Sequence, residues 1–247
     1  MIGRLHAGIF FQDRYKINEV GVKIKLTRSK DDFCLMGAMV GKVQIVQASM
    51  FVRKVKLVPS VFLAHAKTLE RSPAKYPIRR VMCKSLKIPQ NYLDVSHEKL
   101  LSGQLPTRIV IGLVDNRAYN GNRQRNPFNL QHFHLNNIAV YLDGQQQHAV
   151  QPDYEHRLYI RAYNSMFAGS AKLCKDEGLY IRREDCSNGY ALYAFDLTAD
   201  LGEEDHFSLV RHGERALANT VTAIAYAEFE NVIEVDRDSN VVFDFGV

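Results

Sequence analysis

PTRIVIGLVDNRAYNGNRQRNPFNLQHFHLNNIAVYLDGQ, from Pro106 to Gln145, is the stretch whose reading decides the fold class. Between Arg108 and Val114, the residues Ile109, Val110, Ile111, Leu113 and Val114 form a short, almost unbroken apolar run. Such a run suits a strand covered on both faces. Asp115 ends it, and a segment rich in Asn, Gly and Arg follows as far as Asn137. Ile138 to Leu142 then alternates, with Ile138, Val140 and Leu142 opposed by Ala139 and Tyr141. Asp143-Gly144 is a strong hairpin-turn signal. A loop as long as Asp115–Asn137 is uncommon inside a compact domain, which marks it as a functional or interaction segment. It carries no catalytic constellation.

Toward the N-terminus, Ile9–Phe11 and Phe33–Met39 are short apolar runs, and Val20–Leu26 alternates as a half-buried strand does. Val43–Val58 predicts a long strand, with Phe51, Val55 and Leu57 on one face and Lys54 and Lys56 on the other. Val61, Leu63, Ala64 and Leu69 have helical spacing, so a helix is expected over Ser60–Arg71, capped by Ser60 and stopped by Pro73. Tyr76–Ile88 reads as a strand and the region through His97 and Gly103 as a polar loop. Toward the C-terminus, Tyr159–Tyr163, Tyr190–Leu197, Val221–Phe229, Val232–Val235 and Val241–Phe245 are strand candidates, with Thr198-Ala199-Asp200 ending the second. Roughly ten short strands with turns between them indicate an all-β sandwich or barrel rather than alternating βα units.

The 247 residues are enough for a sizeable core. The net charge of +5 comes from 32 basic and 27 acidic residues interspersed along the chain, so no basic block or recognition motif argues for specific nucleic-acid binding. Cys34, Cys83, Cys174 and Cys186 include no C-x-x-C pair and are expected to be buried, reduced thiols. The charged N-terminus has no apolar signal-peptide core, and no apolar run reaches the roughly eighteen residues of a membrane helix, so intracellular synthesis without a membrane span is expected.

The candidate chemistry is sparse. His132-Phe133-His134 places two imidazoles on one face of an extended segment, as a cupin-type metal site would, yet no acidic third ligand follows before Asp143. Glu203, Glu204 and Asp205 beside His206 form either an acid/base or calcium patch, or a solvated turn, and the turn is preferred. Ser187, Ser208 and Ser239 lack a nucleophile elbow, and Gly121 opens no phosphate-binding loop. The pairs Arg79-Arg80 and Arg182-Arg183 read as surface decoration. No catalytic, cofactor-binding or metal-binding residue is assigned.

Several stretches carry a specific resemblance: GRLHAGIFFQDRYKINEVGVKIKLTRSKDDFCLM, FVRKVKLVPSVFLAHAKTLE, AKYPIRRV, SGQLPTRIVIGLVDNRAYNGN, NPFN, YLDGQQ, RAYNSMFAG, GYALYAFDLTADL and YAEFENVIEVDRDSNVVFDF. With these the chain resembles the major capsid protein of Polinton (Maverick) elements and adintoviruses, a double jelly-roll family. The resemblance implies two eight-stranded antiparallel sandwiches per chain, a homotrimeric, pseudo-hexagonal capsomer, and a mechanical role with no catalytic residues and no cofactor. Partners would be further copies of the chain, neighbouring capsomers and a minor or penton capsid protein, and the location would be the virion.

Two departures follow from the same resemblance. Residues 1–42 correspond only to closing strands of a first jelly-roll, leaving 43–247 as the second. RHGERALANT, Arg211–Thr220, is shorter than the family pattern by about one strand, and a truncated or decaying copy would explain both. The segment Met1–Gly41 is therefore expected to be protease-sensitive or docked in an oligomer, because Phe10, Phe11, Val22, Ile24 and Leu26 demand a partner. The alternatives are a lectin-like or host-adapted jelly-roll binding module that holds a ligand in the Asp115–Asn137 loop, and a cupin-like metalloenzyme using His132 and His134.

Overall fold

The computed structural model describes residues 2–142, 144–170, 172, 174–175, 178–198 and 206–243. Asp143 of the expected hairpin turn, Ala199 and Asp200, and the cluster Glu203, Glu204 and Asp205 lie outside the described residues.

The elements run in the order α1 (Asp31–Cys34), α2 (Pro59–Leu69), β1 (Ala74–Ile88), β2 (Asp94–Ser102), β3 (Arg108–Asp115), α3 (Asn116–Tyr119) and β4 (Leu135–Leu142). Then come β5 (Gln145–Val150), α4 (Ile160–Gly169), α5 (Arg183–Ser187), β6 (Leu192–Asp196), β7 (His206–Gly213), β8 (Val221–Val235) and β9 (Val241–Phe243). One sheet has the order β1-β8-β3-β6, with β9 added to β8, and the other has the order β2-β7-β4-β5. The pairs β2·β7, β3·β6, β3·β8, β4·β5 and β4·β7 are all antiparallel. First strand pairs with eighth, second with seventh, third with sixth and fourth with fifth, so the chain is one long ribbon folded back on itself. That nesting is the jelly-roll.

The chain divides into two compact units: residues 29–41 and 81–229 form the larger, and residues 1–28, 42–80 and 230–245 the smaller. In the larger unit, Ile109, Ile111 and Leu113 of β3 and Ile138, Val140 and Leu142 of β4 belong to one buried cluster with Tyr193, Phe195 and Phe229. Register explains how large side chains fit there. Ile111 stands between Ala225 of β8 and Tyr193 of β6, and Ile109 between Ala227 and Phe195, so alanine on one neighbour leaves room for an aromatic on the other. Burying each such isoleucine is worth about 1.5–3 kcal/mol. The opposite face of β3 is covered too. A Cβ on Gly112 would come within 3.2 Å of Leu130 and Leu192, and one on Gly169 of α4 would meet the Ala194 Cβ at 2.4 Å.

In the smaller unit, an irregular N-terminal strap runs beside the start of β1. The buried Tyr76 hydroxyl donates to the Tyr15 carbonyl at 3.2 Å and accepts from the Ile17 amide at 3.0 Å, and Arg14 donates to the Lys75 carbonyl at 2.6 Å. Gly8 passes so close that a Cβ there would lie 2.6 Å from the Arg79 amide nitrogen.

Several expectations fail here. Neither Val20–Leu26 nor Val43–Val58 forms a strand, and Leu26, Val46 and Phe51 are exposed. Alternation becomes a strand only where a neighbour supplies the ladder, and among the described residues none does. Tyr159–Tyr163 is the start of a helix, α4, which buries Ala162, Met166 and Gly169 at helical spacing; five residues were too short a window to separate the two periods. The polar loop through His97 is instead β2, whose ladder shifts register between His97 and Leu101 and so blurs its alternation. The region around His206 enters β7. In the expected helix, Pro59 takes the first turn, and the cap position is Val58 rather than Ser60. Cys34, Cys83 and Cys174 are exposed, and of the four cysteines Cys186 is buried.

Candidate functional site

The Asp115–Asn137 segment is ordered by its own polar residues. Asp115 accepts from the Arg117 amide at 2.7 Å, which starts α3, and also pairs with Arg125. Arg123 is a three-pronged clamp within the larger unit. Its Nε donates to Asp32 at 2.6 Å, and its two terminal nitrogens donate to the Met39 and Gly41 carbonyls at 2.6 and 2.8 Å. The Gly37 amide returns a bond to the Arg123 carbonyl at 3.0 Å, and Phe33 meets Phe128 edge-on. Gly121, at φ +97°, needs its missing side chain, since a Cβ would stand 3.1 Å from the Phe33 amide nitrogen.

Further along, the chain is pinned over β3. Leu130 exchanges backbone bonds with Gly189 and Ala191, and the Gln131 amide donates to the Leu113 carbonyl at 3.0 Å. A sharp turn follows, with Phe133 at φ +46° and His134 at φ +50°. The two histidines are thus not on one face of an extended segment, which corrects the geometry on which a cupin-like site would depend. Their rings stand edge to face at 5.5 Å, and His132 Nδ1 accepts from the His134 amide at 3.2 Å. Among the described residues, no group of three or more His, Cys, Asp or Glu is placed to hold a metal ion.

Arg211 of β7 holds this turn from beneath. It is 2% exposed, donates to the Leu93 carbonyl and to the Phe133 carbonyl at 3.0 Å each, and leaves its Nε without a partner among the described residues. Burial lowers its pKa from the ordinary arginine value.

On the outer side of the turn, four side chains stack. The His132 ring lies on Tyr154 at 4.0 Å, Tyr154 on Tyr159 at 5.2 Å, and the Arg183 guanidinium over Tyr159 at 5.4 Å. Tyr154 is anchored by a 2.8 Å hydroxyl–hydroxyl bond to the fully buried Tyr193, and burial raises the pKa of both phenols. Burial, followed by the neighbouring His134, pulls His132 below the usual histidine value. Burial also pushes the Cys186 thiol up to about 11, which removes it as a nucleophile near neutrality. The stack forms one wall of a cleft of about 480 Å³, whose other lining groups include Arg157, Glu184, Ser187 and Asn188. Sequence reading placed His132 and Arg183 in unrelated segments; nothing local signals that Tyr154 and Tyr159 lie between them.

No family model matches the sequence. An uncharacterized protein of Caenorhabditis elegans is 23% identical over 195 residues, which cover 72% of this chain and 46% of that protein. The chain therefore spans about half the length of the curated relative that it matches. Among solved structures, similarity extends to the Sputnik virophage structure from cryo-electron microscopy, at TM-score 0.45 and 8% identity, covering 71% of this chain and 39% of that one. The mavirus major capsid protein gives TM-score 0.39 and 10% identity over 70% of this chain and 41% of its own. A chain of the PBCV-1 virus capsid gives TM-score 0.39 and 9% identity over 71% and 52%. Among the described residues, no helix is long and apolar enough to cross a membrane.

Proposed function

We propose that this chain is a structural subunit of the capsid type, a double jelly-roll relative of the Polinton and adintovirus major capsid proteins, and not an enzyme. The observation that supports the proposal is the nested pairing of β1·β8, β2·β7, β3·β6 and β4·β5, the jelly-roll strand order that viral capsid domains use. The sequence stretches quoted above support the finer family reading. Under it, residues 1–42 are the closing segment of a first jelly-roll, 43–247 belong to the second, and the working form is a homotrimeric capsomer within a virion. Exposed Phe51, Val46, Leu26 and Met39 fit a chain whose apolar surface is covered by other protein.

Sedimentation velocity and negative-stain microscopy of the purified chain test the proposal. Trimers, or tiled assemblies of trimers, are the expected result. A species that stays monomeric and stable at every concentration reachable would overturn it.

A further inference from the structure

The stacked wall leaves its cleft with an uneven set of groups. The faces of Tyr154 and Tyr159 are used up by one another, by His132 and by Arg183, so they offer a ligand no stacking surface. Ser187 and Asn188 spend their donor hydrogens on the Glu184 carbonyl and on neighbouring hydroxyls, so what remains at the lining are the two guanidiniums, the His132 ring and the Glu184 carboxylate. Arg183 spends one nitrogen on the Arg157 carbonyl at 3.2 Å, and among the described residues neither guanidinium is ion-paired, although Glu184 lines the same cleft. His132 Nδ1 is occupied as an acceptor, so the neutral ring carries its proton on Nε2.

The backbone is strained at the same place. Arg157 sits at φ +60°, inside a turn closed by reciprocal Asp153 and Leu158 bonds of 3.2 and 2.7 Å. Arg157 lines the cleft, and Phe133 and His134, also left-handed, follow the lining residue His132 directly in the chain. Such conformations persist only where the surroundings over-determine them, and they gather at binding sites. The turn thus holds an arginine without a counter-charge beside a second one, in a cleft whose volume suits a small molecule.

We infer that this cleft binds the oxyanion of a small molecule, a phosphate or carboxylate group held by the Arg157 and Arg183 guanidiniums, with His132 as a neutral donor. Guanidinium forks match both anions through paired N–H bonds, so the chemistry is shared and the source is decided by probe. This site stands independently of the capsid reading, since it rests on the cleft and not on assembly.

The test titrates the intact chain with inorganic phosphate and, separately, with acetate, at ionic strength matched by sodium chloride, following His132 ring signals by NMR. Saturable shifts at His132 with at least one anion, absent with chloride, are expected. Arg157→Gln and Arg183→Gln should each weaken that binding about tenfold. Arg182→Gln, which removes a neighbouring charge that pairs with Asp185 outside the cleft, should leave it unchanged. Arg157→Gln is the decisive variant because its side chain makes no bond within the described fold. No saturable binding of either anion, or equal weakening by Arg182→Gln, overturns the inference.

Discussion

Arg123→Ala should release residues 29–41 from the long loop without unfolding the sandwich. The two carbonyl bonds, at 2.6 and 2.8 Å, have a charged donor, but Met39 is exposed and Gly41 only partly buried, so water can replace the lost partner. Each bond is therefore worth about 1–1.5 kcal/mol net. The Asp32 pair adds about 0.5 kcal/mol, because the Asp32 side chain is 60% exposed. A local loss of about 3 kcal/mol raises the opening equilibrium roughly a hundredfold. Native-state hydrogen exchange reads this directly at the Gly37 amide, whose acceptor is the Arg123 carbonyl and so survives the substitution. Gly37 exchange should accelerate by that factor while the protected amides of β3 keep their rates. Unchanged Gly37 exchange would show that the clamp carries no weight, and parallel acceleration in β3 would show that the loop and the core open as one.

Arg211→Met should cost about 1–2 kcal/mol in urea unfolding, because the partly buried Phe133 carbonyl loses its donor, whereas the Leu93 carbonyl keeps the Gly213 amide at 3.0 Å. Gly169→Ala should destabilise by about 1–3 kcal/mol, since the new methyl would collide with Ala194 where α4 lies on β6; a neutral effect on the unfolding midpoint would contradict that packing. His132 should titrate below the ordinary histidine value of 6.5 and His156, bonded to Asp153, above it, as followed by ring-proton NMR. The signs are opposite: the His132 contribution is present above pH 6.5 and is lost as pH falls through its depressed folded pKa, whereas a raised pKa favours the fold below 6.5.

The core of the sandwich was legible because its strands carry their own signal. Arg108–Val114 and Ile138–Leu142 became β3 and β4, and Val221–Val235 became a single strand, since continuous apolar runs survive whatever the neighbours do. The helix near Ser60 was legible from helical spacing and from Pro73 beyond its end, although none of its residues is buried. What failed depends on context. Val20–Leu26 alternates cleanly and Val43–Val58 alternates over its second half, yet a strand is a pair property. β2 shifts register between His97 and Leu101, and its Ser96, His97 and Glu98 look like loop residues. The cleft was beyond sequence reading for a different reason: His132, Tyr154, Tyr159 and Arg183 meet only because β3, β6 and α5 are already in place, and Arg211 reads as one more surface charge until burial shows it holding a turn.

The nesting of strands also dictates an order of events during synthesis. β4 and β5 are adjacent hairpin partners, but β1 ends at Ile88 and must wait for β8, which begins at Val221. At ribosomal rates of about 5–20 residues per second, that wait is on the order of ten seconds, during which a fifteen-residue strand has no permanent neighbour. β1 is furnished for the interval: Lys75, Arg79, Arg80, Lys84 and Lys87 are all basic, no acidic residue offsets them, and Pro77 withholds an amide hydrogen. Two nascent copies of this strand would repel each other along their length, so the ribbon stays available for its own distant partner.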